Sequence, residues 1–134
     1  MKIESRVGNI PENEEKIFAF LSDLNNIEPL IPKEKLSSWE FQKDSCRLGI
    51  TGLGEIELRI LEKEPGKLIK LGSGDDSAYA FTMWIQLKKV SDKDTRVKLT
   101  LQANLNIFFQ AMAKAPLKNF ADTLVDRMET IHYG

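Results

Sequence analysis

The sequence predicts one α+β domain in which a curved, seven-stranded antiparallel sheet wraps around a long C-terminal helix. Residues 39–105 alternate apolar and polar side chains in short segments separated by turn-forming clusters, which is typical of an antiparallel meander. Residues 107–131 repeat apolar side chains with the period of a helix, and no other segment is long enough to cover one face of such a sheet. A chain of 134 residues fits a single domain, so we expect residues 1–134 to share one core.

The amino-terminal residues predict the first strand. In residues 2–7, Ile3, Ser5 and Val7 share one face and alternate with charged side chains on the other. This pattern is typical of a strand with one buried face, so we expect all three side chains to point into the domain.

One or two short helices are expected to follow this strand. Asn13 can cap a helix over residues 14–24, whose apolar side chains recur at helical spacing and whose first turn carries two glutamates. Two prolines in residues 25–32 favour a further helical turn or a tight corner rather than a linker.

Six further strands are expected between residues 39 and 105. Turn-forming residues separate them at regular intervals, and the clearest pair of strands flanks the turn at residues 91–94. The outer faces of that pair are polar apart from Trp84, so one side of the sheet is solvated. The side chains expected to face inward on these strands are Cys46, Leu48, Ile50, Ile56, Leu58, Ile60, Tyr79, Phe81, Met83, Ile85, Val97, Leu99 and Leu101.

The last segment predicts one long helix over residues 107–131. Pro116 lies inside it and lacks a backbone N–H, so we expect a kink or a break near residues 112–115. The apolar stripe of this helix consists of Phe109, Met112, Ala113, Phe120, Leu124, Met128 and Ile131.

The balance of charge argues against a nucleic-acid-binding protein. The chain carries 19 basic and 20 acidic residues, for a formal net charge of -1. These charges are spread along the sequence, so there is no basic field to hold a polyanion.

The cysteine and histidine content excludes the familiar zinc sites and any internal disulfide. Cys46 is the single cysteine, which indicates a reducing compartment, and we interpret it as a small buried apolar residue. His132 is the single histidine, and we predict no metal and no cofactor. The sequence contains no apolar run of signal-peptide or membrane-spanning type, so we expect a cytoplasmic protein without stable membrane insertion.

The predicted fold, a helix-grip, favours an internal apolar pocket because a curved sheet and one helix rarely fill all the space between them. In a meander, the turns at residues 51–54, 72–77 and 104–107 share one end of the sheet. Glycines in the first two turns, together with Phe108 and Phe109 at the start of the helix, predict the pocket mouth at this end. Alternatively, the glycines only form tight turns and the aromatic side chains fill a solid core.

The expected ligand-binding residues combine the inward strand faces with the long helix. Ser5 and Tyr79 are the polar members that could orient a ligand, and the face occupied by Lys70 is undecided. Asp75 and Asp76, in the mouth loop, are either solvated turn residues or an acid–base group. No nucleophile with a base partner is evident, so we predict no catalytic residue. The ligand-binding set is Ser5, Leu48, Ile50, Ile56, Leu58, Tyr79, Phe81, Met83, Leu99, Leu101, Phe108, Phe109, Met112 and Phe120.

Several segments carry a resemblance to a known superfamily. They are the opening strand, the run EEKIFAFLSD at residues 14–23, the Thr-Arg-Val at residues 95–97 and the Asn-Phe-Ala-Asp at residues 119–122. In these segments and in its element order the chain resembles the START-like, Bet v 1-like superfamily, which includes the polyketide cyclase/dehydrase and lipid transport proteins. The resemblance spans nearly the whole chain. It implies a helix-grip fold and a site for a lipid, sterol, isoprenoid quinone, polyketide or plant hormone, and a minority of members are cyclases or hydrolases.

The leading functional hypothesis is binding or transport of an apolar small molecule, because the inward faces are almost wholly apolar. A second hypothesis is a small cyclase or hydrolase that uses Tyr79 with a mouth acid or Lys70. A third is a protein-interaction module related to chaperone activators, which an exposed patch around Trp84 and Leu61 would favour. We expect a monomer or a weak homodimer.

Overall fold

A computed structural model of the protein describes residues 1–42, 45–51, 54–73 and 80–133. Within these residues the chain forms a single sheet, two helices and two 3₁₀ turns. The strands are β1 (Lys2–Glu4), β2 (Gly8–Ile10), β3 (Leu36–Gln42), β4 (Ser45–Ile50), β5 (Gly54–Glu64), β6 (Leu68–Ser73), β7 (Phe81–Ser91) and β8 (Asp94–Ala103). The helices are α1 (Glu14–Leu21) and α2 (Ile107–Thr130), and the 3₁₀ turns are Leu24–Asn26 and Glu28–Leu30.

The sheet is an antiparallel meander closed at one edge by the start of the chain. Its strands lie in the order β1-β8-β7-β6-β5-β4-β3, and β2 also pairs with β8. Every strand from β3 to β7 therefore neighbours the strand that follows it in sequence. With α2 packed against this sheet, the predicted α+β helix-grip architecture is confirmed.

The amino-terminal strand differs from the prediction because it is two short strands rather than one. Between β1 and β2 the chain leaves the sheet, and the Leu99 N–H donates to Ser5 Oγ at 2.8 Å where a strand would offer a carbonyl. Ser5 Oγ in turn donates to the Arg6 carbonyl. Val7 is 61% exposed as a result, so the prediction that it points inward is wrong.

The first helix starts where the sequence predicted and ends earlier. Asn13 caps it by accepting the Glu15 N–H at 2.8 Å. At the other end Ser22 Oγ donates to the Phe18 carbonyl, and α1 stops at Leu21 rather than at residue 24. The two 3₁₀ turns then form the corner expected from the two prolines.

The long helix runs without a break through Pro116. Asn106 caps it by accepting the N–H groups of Phe108 and Phe109, both at 3.1 Å. Pro116 cannot donate to the Met112 carbonyl, but both residues are exposed, so water can solvate that carbonyl. The expected break near residues 112–115 does not occur.

The second half of α2 provides the contact between the helix and the sheet. Its buried side chains pack against β1, β2, β8 and the second 3₁₀ turn. Close approach is possible because Gly8 has no side chain: a Cβ there would collide with Val125 Cγ1 and lie 3.0 Å from Val97 Cγ1. The buried residues of α2 are Leu117, Ala121, Leu124, Val125 and Met128.

Part of the predicted mouth lies outside the described residues. This applies to Tyr79, to Asp75 and Asp76, and to the glycines at positions 52 and 74.

Candidate functional site

An internal cavity lies between the sheet and the second half of α2. Its volume is about 50 Å³. Every described residue that lines it is apolar: Ile27, Ile31, Leu48, Ile50, Ile56, Leu58, Phe81, Met83, Leu101, Ala103, Leu117, Phe120 and Leu124. This is more room than one water molecule needs, but none of these thirteen side chains could hydrogen-bond to it.

Three structural units position these side chains. The period-two alternation of β4, β5, β7 and β8 turns Leu48, Leu58 and Leu101 to the same side of the sheet. On α2, Leu117, Phe120 and Leu124 follow one another at three and four residues, so they share one face of the helix. The corner formed by the 3₁₀ turns supplies the remaining wall.

Eight of the expected ligand-binding residues surround this cavity: Leu48, Ile50, Ile56, Leu58, Phe81, Met83, Leu101 and Phe120. Leu99 is completely buried but lies outside the cavity lining. Ser5 is buried too, and its hydroxyl is occupied by the Leu99 N–H and the Arg6 carbonyl. Tyr79 lies outside the described residues.

The remaining three expected residues belong to the first half of α2 and are exposed. Phe108 is 81% exposed, Phe109 56% and Met112 74%. Phe109 and Met112 belong to the same apolar stripe as Phe120 and Leu124, and Phe108 was expected at the mouth, but α2 meets the sheet with its second half. Periodicity identified the apolar side chains of the helix without showing where along it the contact begins.

Five cavity residues were absent from the expected set. Ile27 and Ile31 come from the corner segment, whose apolar side chains carried no periodic signal. Ala103 ends the inward alternation of β8, one step beyond Leu101. Leu117 and Leu124 could have been found from the sequence, because their spacing of three and four residues from Phe120 places them on the same helical face.

An open groove of about 490 Å³ adjoins the cavity. Phe81 and Ala103, which face each other on β7 and β8, line both spaces. Gly72 and Asn104 also line the groove, so it lies at the end of the sheet where the mouth was expected. Phe81 and Ala103 therefore belong to both linings, whereas Thr82 and Gln102, which also line the groove, lie on the outer face of the sheet.

Two titratable side chains near the core, those of Cys46 and Tyr133, lie away from the cavity. Cys46 is fully buried opposite Leu58, and burial raises the pKa of its thiol to about 11. Burial also raises the pKa of the Tyr133 phenol, whose hydroxyl donates to the Met128 carbonyl at 2.5 Å. Neither side chain lines the cavity.

Lys70 lies on the outer face of the sheet. It pairs across β6 and β7 with Trp84, and its Nζ is 5.9 Å from the centre of the Trp84 ring. The ammonium group therefore covers the Trp84 ring, and Lys70 does not reach the cavity. Leu61, which is 55% exposed, packs over Gly72 instead.

The described residues provide neither a metal site nor a membrane-spanning helix. Across residues 1–42, 45–51, 54–73 and 80–133, no three His, Cys, Asp or Glu side chains are grouped so that they could hold a metal ion. Neither helix in this part of the chain is long and apolar enough to cross a membrane.

Solved structures of similar shape span nearly the entire chain. No family model and no curated protein matches the sequence. The protein XoxI from Bacillus cereus superposes with a TM-score of 0.75 at 10% identity, over 96% of this chain and 92% of that one. A Thermus thermophilus protein gives a TM-score of 0.70 at 16% identity, over 96% and 94% of the two chains.

A third match carries the superfamily name. It is a START superfamily protein from Mycobacterium smegmatis, with a TM-score of 0.70 at 11% identity over 98% of this chain and 99% of that one. Identities this low show the fold alone. Together with the antiparallel meander and the long carboxyl-terminal helix, they establish that the chain has the START-like, Bet v 1-like fold.

Proposed function

We propose that this protein binds an apolar small molecule, such as a lipid, an isoprenoid quinone or a polyketide-like compound, between the sheet and α2. One observation carries the proposal: among the described residues, all the side chains around the buried cavity are apolar, and they come from four strands, a helix and a corner. These side chains can retain a ligand by removing its hydrocarbon surface from water, but none of them can transfer a proton to it.

The cavity must expand to accept such a ligand. Its volume of about 50 Å³ is far below the roughly 300–1,000 Å³ of a typical ligand pocket. We propose that the Phe81 ring, which borders both the cavity and the groove of about 490 Å³, moves to enlarge the site. Met83 can also adapt, since methionine side chains are unbranched and flexible.

The energetics favour a ligand with a long hydrocarbon portion. Each buried CH₂ contributes about 0.8 kcal/mol, whereas association costs roughly 4–15 kcal/mol. A ligand therefore needs on the order of ten buried carbons to bind usefully. Fatty acyl chains and isoprenoid tails meet this requirement.

Native mass spectrometry tests the proposal directly. Protein purified from its own host is examined for bound apolar molecules, and delipidated protein is titrated with palmitate and with a short-chain isoprenoid quinone. We expect a one-to-one complex with at least one of them. If no molecule co-purifies and neither probe binds, the proposal is wrong.

A matched pair of variants locates the site. Leu101 and Leu87 are inward-facing and almost equally buried, at 8% and 7% exposure, but only Leu101 lines the cavity. Leu101→Phe should fill the cavity and weaken binding at least tenfold, whereas Leu87→Phe should leave binding unchanged. Equal binding by the two variants would show that the ligand binds elsewhere on the protein.

Methionine methyl groups provide a second readout. The Met83 side chain lines the cavity, whereas Met112 is exposed on α2. In an NMR titration of ¹³C-methyl-labelled protein, the Met83 signal should shift in proportion to bound ligand. A response confined to Met112 would indicate adsorption on the surface.

A further inference from the structure

The first ten residues of α2, which we name the α2 tip (residues 107–116), form an exposed apolar surface. Ile107 is 76% exposed, and Phe108, Phe109 and Met112 are each more than half exposed. The other large exposed apolar side chains of the described chain are Val7, Phe41, Leu61 and Val90, which lie on separate elements. Four such side chains within six consecutive residues therefore set the α2 tip apart from the rest of the surface.

We propose that the α2 tip pairs with the α2 tip of a second copy of this chain to form a weak, reversible homodimer. The three largest side chains support a helix-to-helix contact. Phe109 and Phe108 precede Met112 by three and four residues, so all three share one helical face. Gln110 and Lys114, also four residues apart, lie together at another position around the helix.

The exposed area matches a weak dimer. With about 150–250 Å² per large side chain, the exposed fractions of Phe108, Phe109 and Met112, which share one face, amount to on the order of 400 Å². That is as large as the biggest apolar patch of a typical monomer. It is smaller than the roughly 800 Å² per partner of a standard stable interface, so association should be weak.

The charge of the α2 tip favours a neutral, apolar partner. Lys114 is the single charged residue in residues 107–116. Helices that lie on membranes usually carry several lysines or arginines on the polar face, each adding about 1 kcal/mol on anionic lipid. A second copy offers the same neutral surface, and a two-fold axis lets each tip contact its equivalent with the helix dipoles opposed.

Sedimentation velocity over a wide concentration range tests the proposal. The weight-average mass should rise from that of the monomer toward twice that value at high protein concentration. The double variant Phe108→Gln/Met112→Gln should weaken dimerisation at least tenfold, because glutamine keeps the helix and removes the apolar contact. Val90→Gln, a change at an exposed apolar site on β7, should dimerise like the unmodified protein. Far-ultraviolet circular dichroism verifies that each variant is folded.

Cysteine cross-linking tests the geometry independently. Cys46 is buried, so Met112→Cys adds one accessible thiol. Under mild oxidation Met112→Cys should form a disulfide-linked dimer faster than Val90→Cys. Equal rates would overturn the proposed contact.

Two further results would overturn the proposal. One is a monomeric protein at every concentration tested, and the other is a dimer that the double variant does not weaken. Vesicles of phosphatidylcholine, with or without phosphatidylglycerol, test the alternative partner. Binding of monomeric protein to these vesicles that the double variant abolishes would assign the α2 tip to a lipid surface. None of these outcomes depends on the ligand proposed for the cavity.

Discussion

Arg6 and Glu129 join the link between β1 and β2 to the end of α2. The Arg6 guanidinium contacts the Glu129 carboxylate, with Nη1 3.3 Å from Oε2, and also contacts Asp126. Glu129 accepts the Asn9 N–H at 2.8 Å, and the Arg6 N–H donates to Asp122 at 2.8 Å. These contacts hold the second half of α2 beside the strands that close the sheet, next to the cavity.

Replacing Arg6 should loosen this attachment. Arg6→Gln is expected to lower the free energy of unfolding by about 1 kcal/mol, near the upper end for a solvent-accessible ion pair, because two carboxylates lose one partner. Lys2→Gln is the matched control, since Lys2 pairs only with the exposed Glu4 at 3.5 Å among the described contacts. Urea denaturation measures the free energy of unfolding of both variants. A loss for Lys2→Gln as large as for Arg6→Gln would contradict the prediction.

The same contacts predict how stability depends on pH. The Arg6 guanidinium lowers the pKa of Glu129, and the Asn9 N–H contributes to the same effect. The unfolded chain therefore takes up this proton at a higher pH, near 4.3, than the folded chain does. The stabilisation is complete above that pH and is lost as the pH falls through the folded pKa.

The variant Glu129→Gln tests the predicted direction in which stability changes with pH. The difference in unfolding free energy between the unmodified protein and this variant should be largest near neutral pH and should shrink below about pH 4. Glu40→Gln, a change at an exposed carboxylate on β3, should show little difference at either pH. A difference that grows on acidification would exclude the proposed role of Glu129.

Gly8 should tolerate no side chain while Val125 is present. Gly8→Ala places a methyl group against Val125 Cγ1 and should cost about 1–3 kcal/mol of stability through overpacking. Val125→Ala removes that clash, so the double variant should lose less stability than the two single variants added together. Thermal or urea denaturation of the unmodified protein, the two single variants and the double variant gives the unfolding free energies for this double-mutant cycle. Strict additivity would show that the collision is relieved in another way.

The cavity should accommodate a larger side chain, whereas the tightly packed core should not. Leu99 and Leu101 share one face of β8, but Leu101 alone borders the cavity. Leu99→Phe should cost roughly 1–3 kcal/mol in unfolding free energy, and Leu101→Phe less than about 1 kcal/mol. Denaturation in urea compares the two. A greater loss for Leu101→Phe would mean that the cavity cannot accommodate the ring.

Cys46 should behave as an inert thiol in the folded protein. It is fully buried, and with a pKa of about 11 little thiolate forms at pH 8. Reaction with a thiol reagent such as Ellman's reagent should therefore be slow in buffer and rapid in denaturant. Val90→Cys supplies an exposed thiol as the control for reagent activity. Rapid labelling of Cys46 without denaturant would show frequent opening of the sheet around β4.

The strand predictions succeeded where a local pattern carries the information. Side chains of a strand alternate between its two faces, so Leu48, Leu58 and Leu101 could be assigned to the inner face from the sequence. Lys70 could not, because apolar residues on both sides of it removed the alternation. Its position on the outer face is defined by its pairing with Trp84 on the neighbouring strand β7, which is a tertiary contact.

The first strand shows a limit of the same reasoning. Alternation placed Ser5 and Val7 on the inner face, and Ser5 is indeed buried. The chain leaves the sheet after β1 because Ser5 Oγ, rather than a backbone carbonyl, receives the Leu99 N–H, and Arg6 then reaches the carboxylates of α2. No local pattern around residue 6 indicates partners more than a hundred positions away.

The sequence by itself determined the class of fold, the order of its elements and the apolar face of each, because these follow from short-range periodicity and from turn and capping residues. The tertiary structure decided which part of that apolar surface is covered. Phe109 and Phe120 have the same helical period, yet Phe120 borders the cavity and Phe109 is exposed. The reason is physical: periodicity fixes a direction around the helix axis, whereas burial depends on where along that axis the sheet lies.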